Sequence, residues 1–143
     1  QRFGHPLSVM VVDIDLFKAA NDGWGHLAGD CVICAVAQTC LARTRQGVDT
    51  VARYGGEEFV LVLPETGMHD ALHLAESLRQ AVAARQVLVG DEGVTVCVTV
   101  SIGVATLHQG SDLSFEDLVK QADKALYQAK ATGRNNVQCC AGG

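Results

Sequence analysis

Four carboxylates fall at two places where an apolar, strand-like run meets a turn. Asp13 and Asp15 close the run from Val9 to Ile14, and Glu57 and Glu58 open another directly after Gly55-Gly56. Acids crowded at strand ends are costly unless a proton or a cation neutralises them. Oxygen-rich clusters of this kind suit magnesium or manganese, which bridge to substrate phosphates. The alternative, that all four face water, stays open on spacing alone. Lys130 and Arg134 stand at the end of a helical pattern with Gly133 between them. They fit either cations favoured at a helix C-terminus or a phosphate clamp.

Three other patterns carry less. Gly23-Trp24-Gly25-His26-Leu27-Ala28 matches G-x-G-x-x-A, but Leu16 to Asp22 separate it from the preceding strand. In a dinucleotide-binding fold the first glycine follows the strand directly, so that reading fails. The chain contains no G-x-x-x-x-G-K-[ST], so a nucleoside triphosphate would not be held by a P-loop. His69-Asp70-Ala71-Leu72-His73 has the spacing of a zinc-protease helix with Asp for Glu, and a solvated helix face is the better reading.

These groups need a frame that positions them. Val9 to Ile14 reads as a buried strand, Leu16 to Ala20 as a short helical piece, and Asn21-Asp22-Gly23 as a turn. A helix follows from about Leu27 to Arg45. Strands over Val48 to Tyr54 and Glu57 to Leu63 are then joined by a two-residue connection, Gly55-Gly56, suited to a tight hairpin. Met68 to Arg85 is the clearest amphipathic helix. Ala71, Leu74, Ala75, Leu78 and Val82 share one face; His69, His73, Glu76 and Gln80 share the other. Val94 to Leu107 reads as the longest strand. Ser114, with Asp117 three residues on, caps a last helix carrying Leu118, Val119, Ala122, Ala125, Leu126 and Ala129. Gly133 ends that helix, and Asn136 to Cys139 add a short strand. This order predicts an α+β sandwich, a mixed central sheet with flanking helices.

Composition sets the class. The chain has 143 residues, 48% of them apolar, and 16 acidic against 11 basic side chains, for a formal charge of −5. That suits one domain over residues 1–143 and excludes disorder. The acidity and few aromatics argue against a DNA or RNA surface, while local cations can still meet a small ligand's phosphates. No apolar run approaches the roughly 18 residues of a membrane span, and no membrane contact by the domain is expected. The six cysteines read as reduced small hydrophobes in a cytoplasmic protein. Gln1 enters almost directly into the first strand, the pattern of a domain cut from a larger signalling protein and lacking its extreme N-terminal segment. A membrane anchor elsewhere in the parent stays open.

Arg53-Tyr54-Gly55-Gly56-Glu57-Glu58-Phe59 is one of five ordered blocks. Upstream stand Asp13-Ile14-Asp15-x-Phe17-Lys18 and Asn21-Asp22-x-x-Gly25-His26-x-x-Gly29-Asp30. Downstream stand Ser101-Ile102-Gly103-Val104 and Ala122-Asp123-x-Ala125-Leu126-Tyr127-x-Ala129-Lys130-x-x-Gly133-Arg134-Asn135. In order and spacing, over nearly the whole chain, these blocks resemble the GGDEF family, the diguanylate cyclases, in its Gly-Gly-Glu-Glu-Phe form.

The resemblance implies a fold akin to nucleotidyl cyclase and polymerase palm domains, with a ferredoxin-like core. It implies condensation of two GTP into cyclic di-GMP with release of pyrophosphate, in a transient two-fold homodimer. By position, Asp13, the Ile14 carbonyl and Glu57 or Glu58 would hold Mg2+ or Mn2+, and the other glutamate would help activate the 3′-hydroxyl. Asn21 and Asp30 match the guanine-reading pair, with His26 close to the substrate. Lys130 and Arg134 match the phosphate contacts, assisted by backbone N–H groups around Leu16 and Phe17. Gly55 and Gly56 would let the nucleotide approach the backbone. The family's Arg-x-x-Asp product-inhibition site is degenerate: Asp49 holds the Asp position, Gln46 replaces the arginine, and Arg45 lies one residue off register. Weak or altered regulation by cyclic di-GMP follows, since Gln lacks the arginine fork. The alternative is a silent module of the same fold that binds GTP or cyclic di-GMP. The intact Asp13, Glu57, Glu58, Lys130 and Arg134 favour the enzyme.

Overall fold

The computed structural model describes residues 5–90, 93–108 and 110–140. Its centre is β1 (Leu7–Ile14), buried from Ser8 onward. An apolar run of this kind needs cover on both faces of a sheet, and it has both. Around it the chain adds α1 (Phe17–Trp24), α2 (His26–Arg43), β2 (Thr50–Arg53), β3 (Glu58–Pro64) and α3 (Met68–Ala84). Then follow β4 (Val87–Val89), β5 (Val94–Val96), β6 (Val100–Leu107), α4 (Phe115–Ala131) and β7 (Val137–Cys139).

The main sheet has the order β2-β3-β1-β6-β7. Its pairs are antiparallel except β6–β7, which is parallel and connected through α4. The predicted mixed sheet with flanking helices is therefore what forms. Alternation along β1 assigns its faces. Met10, Val12 and Ile14 enter a core with Val32, Val36, Leu78 and Val82 of α2 and α3. Val9 and Val11 enter a second core with Leu118, Ala122 and Leu126 of α4. Gly103 of β6 makes that second contact close: a Cβ there would lie 2.0 Å from the Ala122 carbonyl oxygen and 2.3 Å from the Leu126 nitrogen. The predicted cap of α4 is present as a full capping box between Ser114 and Asp117.

Four expectations are corrected. Asn21-Asp22-Gly23 is not a turn but lies inside α1, which starts after Leu16 in a left-handed conformation (φ 55°) and ends at Gly25 (φ 93°). Packing explains this: Asn21 and Phe17 lie directly against Gly29 of α2, and that contact outweighs the local turn preference. Val94–Leu107 is not one strand. Val94–Val96 pairs with Val87–Val89 in a separate two-stranded sheet, and the chain joins β1 only from Val100. The Gly55-Gly56 connection is one residue longer than expected: Tyr54 N–H donates to the Glu58 carbonyl at 2.7 Å, leaving Gly55, Gly56 and Glu57 in the turn. Val48 and Asp49 fall outside β2 because their N–H groups both turn back to the Arg45 carbonyl, at 3.2 and 2.9 Å.

None of the six cysteines is in a disulfide; Cys40 is buried, whereas Cys34, Cys97 and Cys139 are exposed. The small-hydrophobe reading thus holds for Cys40, whose thiol burial pushes up to about 12, and not for the exposed three.

Candidate active site

Register brings the first three acidic and basic groups together. Asp13 of β1 stands opposite Glu58 of β3 on one side and Ser101 of β6 on the other. Glu58 shares the face of Val60, which packs in the α4 core, so both acids point towards α4. Lys130, in the last turn of α4, meets Asp13 there as an ion pair. Asp13 is 3% exposed at its side chain, and its Oδ1 is buried with no hydrogen-bond partner. Burial, then the charges of Asp13 and Asp123, push Glu58 up to about 7. Burial and Asp13 also raise Glu57, against the pull of Lys130 and Lys18. Burial works to lower Lys130, but its bond to Asp13 and the charges of Asp13, Glu58 and Glu57 more than offset that.

Beside this cluster opens a cleft of about 440 Å³. Of the predicted residues, Asp13, Ile14, Leu16, Phe17, Glu57, Lys130 and Arg134 line it. Glu57 lies in the turn, and its carbonyl takes the Ile14 N–H at 3.2 Å, tying the β2–β3 connection to the end of β1. Arg53 braces the same turn, donating to the carbonyls of Gly55 at 3.3 Å and Gly56 at 2.7 Å. The first turn of α1 also borders the cleft, and no side chain caps it. Uncapped N–H groups at a helix start form a ready site for an anion.

Other predicted residues lie outside that lining. Asn21 packs its buried, unpartnered Oδ1 against Gly29, where an added Cβ would come within 1.8 Å. Its proposed companion Asp30 follows Gly29 in α2 and is exposed, as is His26 at the start of that helix. Gly55 (φ 109°) and Gly56 have open space where a side chain would stand. Arg45 and Asp49 form a closed pair away from the cleft. The Arg45 Nη2 reaches Asp49 Oδ1 at 2.7 Å, the Pro64 carbonyl at 2.8 Å and Thr66 Oγ1 at 2.9 Å. His69, His73, Glu76 and Gln80 line a separate groove on α3, as their spacing predicted.

Sequence reasoning missed four cleft residues as site members: Asp15, Lys18, Ala19 and Asp22. Asp15, weighed as an acid needing a cation or a proton, is instead satisfied by three donors. They are Thr99 Oγ1 at 2.6 Å, Ser101 Oγ at 2.6 Å and Asn135 N–H at 2.9 Å. Lys18 and Asp22 sat within the upstream blocks, so their positions were the available signal.

The residues fit a divalent metal in a limited sense. Among the described residues no three His, Cys, Asp or Glu side chains form a ready cage. Magnesium does not require one, because it keeps waters and binds through one or two carboxylates plus substrate phosphates. The orphaned Asp13 Oδ1 and two glutamates held towards their protonated forms leave more negative charge than Lys130 balances. A hard cation held by these acids would supply the missing charge.

Residues 1–136 match the family described as diguanylate cyclase, GGDEF domain. Diguanylate cyclase A of Treponema denticola is 43% identical over 131 residues, covering 92% of this chain and 34% of its own length. Diguanylate cyclase DgcM of Escherichia coli is 48% identical over 130 residues, covering 91% of this chain and 30% of its own length. The chain thus spans about a third of each. The GGDEF domain of DgcB from Caulobacter crescentus, solved in complex with c-di-GMP, has a TM-score of 0.88 and 34% identity, over 96% of this chain and 77% of that one.

Proposed function

The chain belongs to the GGDEF, diguanylate cyclase family, and from that premise we propose that it condenses two GTP molecules into cyclic di-GMP. Each 3′-hydroxyl oxygen attacks the α-phosphorus of the other nucleotide, each hydroxyl loses its proton, and two pyrophosphates leave. The observation that carries this reading is the convergence of Asp13, Glu57, Lys130 and Arg134 on one cleft, with Glu58 paired to Asp13. Phosphoryl transfer needs in-line positioning and charge neutralisation rather than a covalent protein intermediate. The acids and cations gathered at this cleft support the second of these needs.

Lys130 and Arg134 hold the phosphates, joined by the uncapped N–H groups at the start of α1. Asp13, the Ile14 carbonyl and Glu58 are the residues that would hold Mg2+ or Mn2+. The metal would polarise the α-phosphate and lower the charge that the attacking oxygen meets. Glu57, free of the ladder and facing the cleft, takes the role of receiving the 3′-hydroxyl proton, helped by its raised proton affinity. Asn21 and Asp30 read the guanine: a carboxylate accepts from N1–H and the exocyclic amine, a donor pattern that adenine lacks. By the same family pattern His26 would stand near the substrate.

One domain holds one nucleotide, so the symmetric product requires two domains meeting face to face. Cyclic di-GMP is then product and at most a weak regulator, because Asp49 is already occupied by Arg45.

Glu57→Gln and Glu58→Gln test the assignment. Each is expected to lower the rate of cyclic di-GMP formation by at least about a hundredfold, with the fold verified by circular dichroism. Rates near wild type in both variants would contradict it.

A further inference from the structure

Arg134, whose contact with phosphate rests on the reading above, stands on unusual backbone. Arg134 and Asn135 are consecutive non-glycine residues at positive φ, 63° and 48°. Side-chain-bearing residues adopt that conformation rarely and keep it only where the surroundings over-determine it. Here the surroundings do. Arg134 N–H donates to the Ala129 carbonyl at 3.0 Å. Asn136 Nδ2 donates to the carbonyls of Ala129 and Arg134 at 2.8 and 2.9 Å. Those bonds stay within the end of α4 and its own loop.

Three further bonds tie the loop to the rest of the molecule: the Ile102 N–H of β6 donates to the Asn136 carbonyl at 3.0 Å, and the other two converge on Asn135. Its N–H donates to Asp15 Oδ2 at 2.9 Å, and its Oδ1 accepts from Arg79 Nη1 of α3 at 2.9 Å. Each anchor is itself fixed. Asp15, 9% exposed, takes Thr99 Oγ1 and Ser101 Oγ, both at 2.6 Å, and its own N–H donates to the Thr99 carbonyl at 2.9 Å. Arg79 is forked by Glu76, with Nε to Oε1 at 2.9 Å and Nη2 to Oε2 at 2.6 Å. The two acids at the end of β1 have therefore divided their work. Asp13 keeps a free buried oxygen towards the site, whereas both oxygens of Asp15 are engaged.

We propose that Asp15 is a positioning residue for Arg134: through the Asn135 N–H it locks the left-handed turn that aims the guanidinium into the cleft, with Arg79 as a second clamp on the same residue. A rigid mounting matters because a long side chain on a loose loop loses most of its binding advantage to entropy. Asp15 also lies two residues from Asp13 in the chain, so one segment sets the spacing between the acidic cluster and this cation.

The test uses the whole domain, with the α,β-methylene analogue of GTP as a probe that does not turn over, and guanosine as a probe without phosphates. Arg134→Ala and Asp15→Ala should each weaken the triphosphate probe by about tenfold, the scale of one lost charged hydrogen bond, and leave guanosine within about twofold. Because Asp15 acts through Arg134, the double variant should bind no more weakly than Arg134→Ala alone. Asp15→Asn, which keeps an acceptor for the Asn135 N–H, should recover most of the loss. Additive losses, or an equal loss for guanosine, would overturn the proposal. A loss in Arg134→Ala without one in Asp15→Ala overturns this proposal and leaves the phosphate reading intact. Wild-type binding by Arg134→Ala overturns both. Should Asp15→Ala not fold, Thr99→Val and Arg79→Met each remove one support. A smaller triphosphate-selective loss that disappears in the Arg134→Ala background sustains the proposal, and no loss from either variant overturns it.

Discussion

Glu58 and Asp13 face each other across a strand pair, and in the absence of a cation that proximity is unfavourable. Burial and the Asp13 charge bring the Glu58 carboxyl to about 7 from an ordinary 4.5. The folded chain therefore holds this proton more tightly than the unfolded chain. The associated stability is complete below about 4.5 and is lost as pH rises through about 7. With metals chelated, the melting temperature of the wild type should fall relative to Glu58→Gln between about pH 5 and about pH 8, and added magnesium should close part of that gap at the upper end. A difference independent of pH and metal would contradict the electrostatic account. At Arg45 the prediction concerns regulation. The Asp49 carboxylate is 2% exposed and forked by Arg45, so neither group is free for an added ligand. Micromolar cyclic di-GMP should leave the initial rate within about twofold, as read by pyrophosphate release; tight binding that Asp49→Ala abolishes would refute it. Asp13, Glu57, Glu58, Lys130 and Arg134 stood out by type and spacing, but only the family resemblance gathered them into one candidate site. What was not legible is pairing: nothing in the sequence says that Asp15 ends on Asn135, 120 residues away, while Asp13 ends on Lys130.

Helices with a clear apolar stripe were the most legible elements, since period and burial demand the same face. α3 runs over Met68–Ala84 against a reading of Met68 to Arg85, and the α4 cap lies where Ser114 and Asp117 placed it. The misreadings have local causes. Asn-Asp-Gly favours a turn, but the Asn21 and Phe17 contacts with Gly29 hold it in α1. The β-branched run from Val94 onward gives no sign that residues 97–99 carry the chain from one sheet to another. Left-handed Leu16 and Arg134 are equally silent, because neither is glycine. Gly103 is the reverse case, a glycine whose purpose only packing reveals. Gly103→Ala places a methyl group against the backbone of α4 and should destabilise the domain by about 1–3 kcal/mol or more. Because α4 carries Lys130 and leads to Arg134, activity should fall with stability. Denaturant unfolding gives the first quantity, and an unchanged midpoint would show that α4 can shift at no cost.

At the scale of the molecule, the sheet brings its chemistry to one edge of the β1, β3 and β6 strand ends, and one cleft opens there. On the proposed reaction, a two-fold product made from two nucleotides would set an assembly requirement that a single domain does not meet. The chain spans about a third of the relatives it matches, so in a longer protein the neighbouring segments would govern how often two such clefts meet. In the domain by itself, collision governs it. The most direct measurement incubates the domain with GTP and magnesium, or manganese, across a dilution series that spans its measured monomer–dimer equilibrium, with products identified by mass spectrometry. Cyclic di-GMP and pyrophosphate are expected, at a rate per domain that climbs with protein concentration while monomer dominates. No cyclic di-GMP at any concentration, or a specific activity that stays flat across the series, would contradict the proposed reaction.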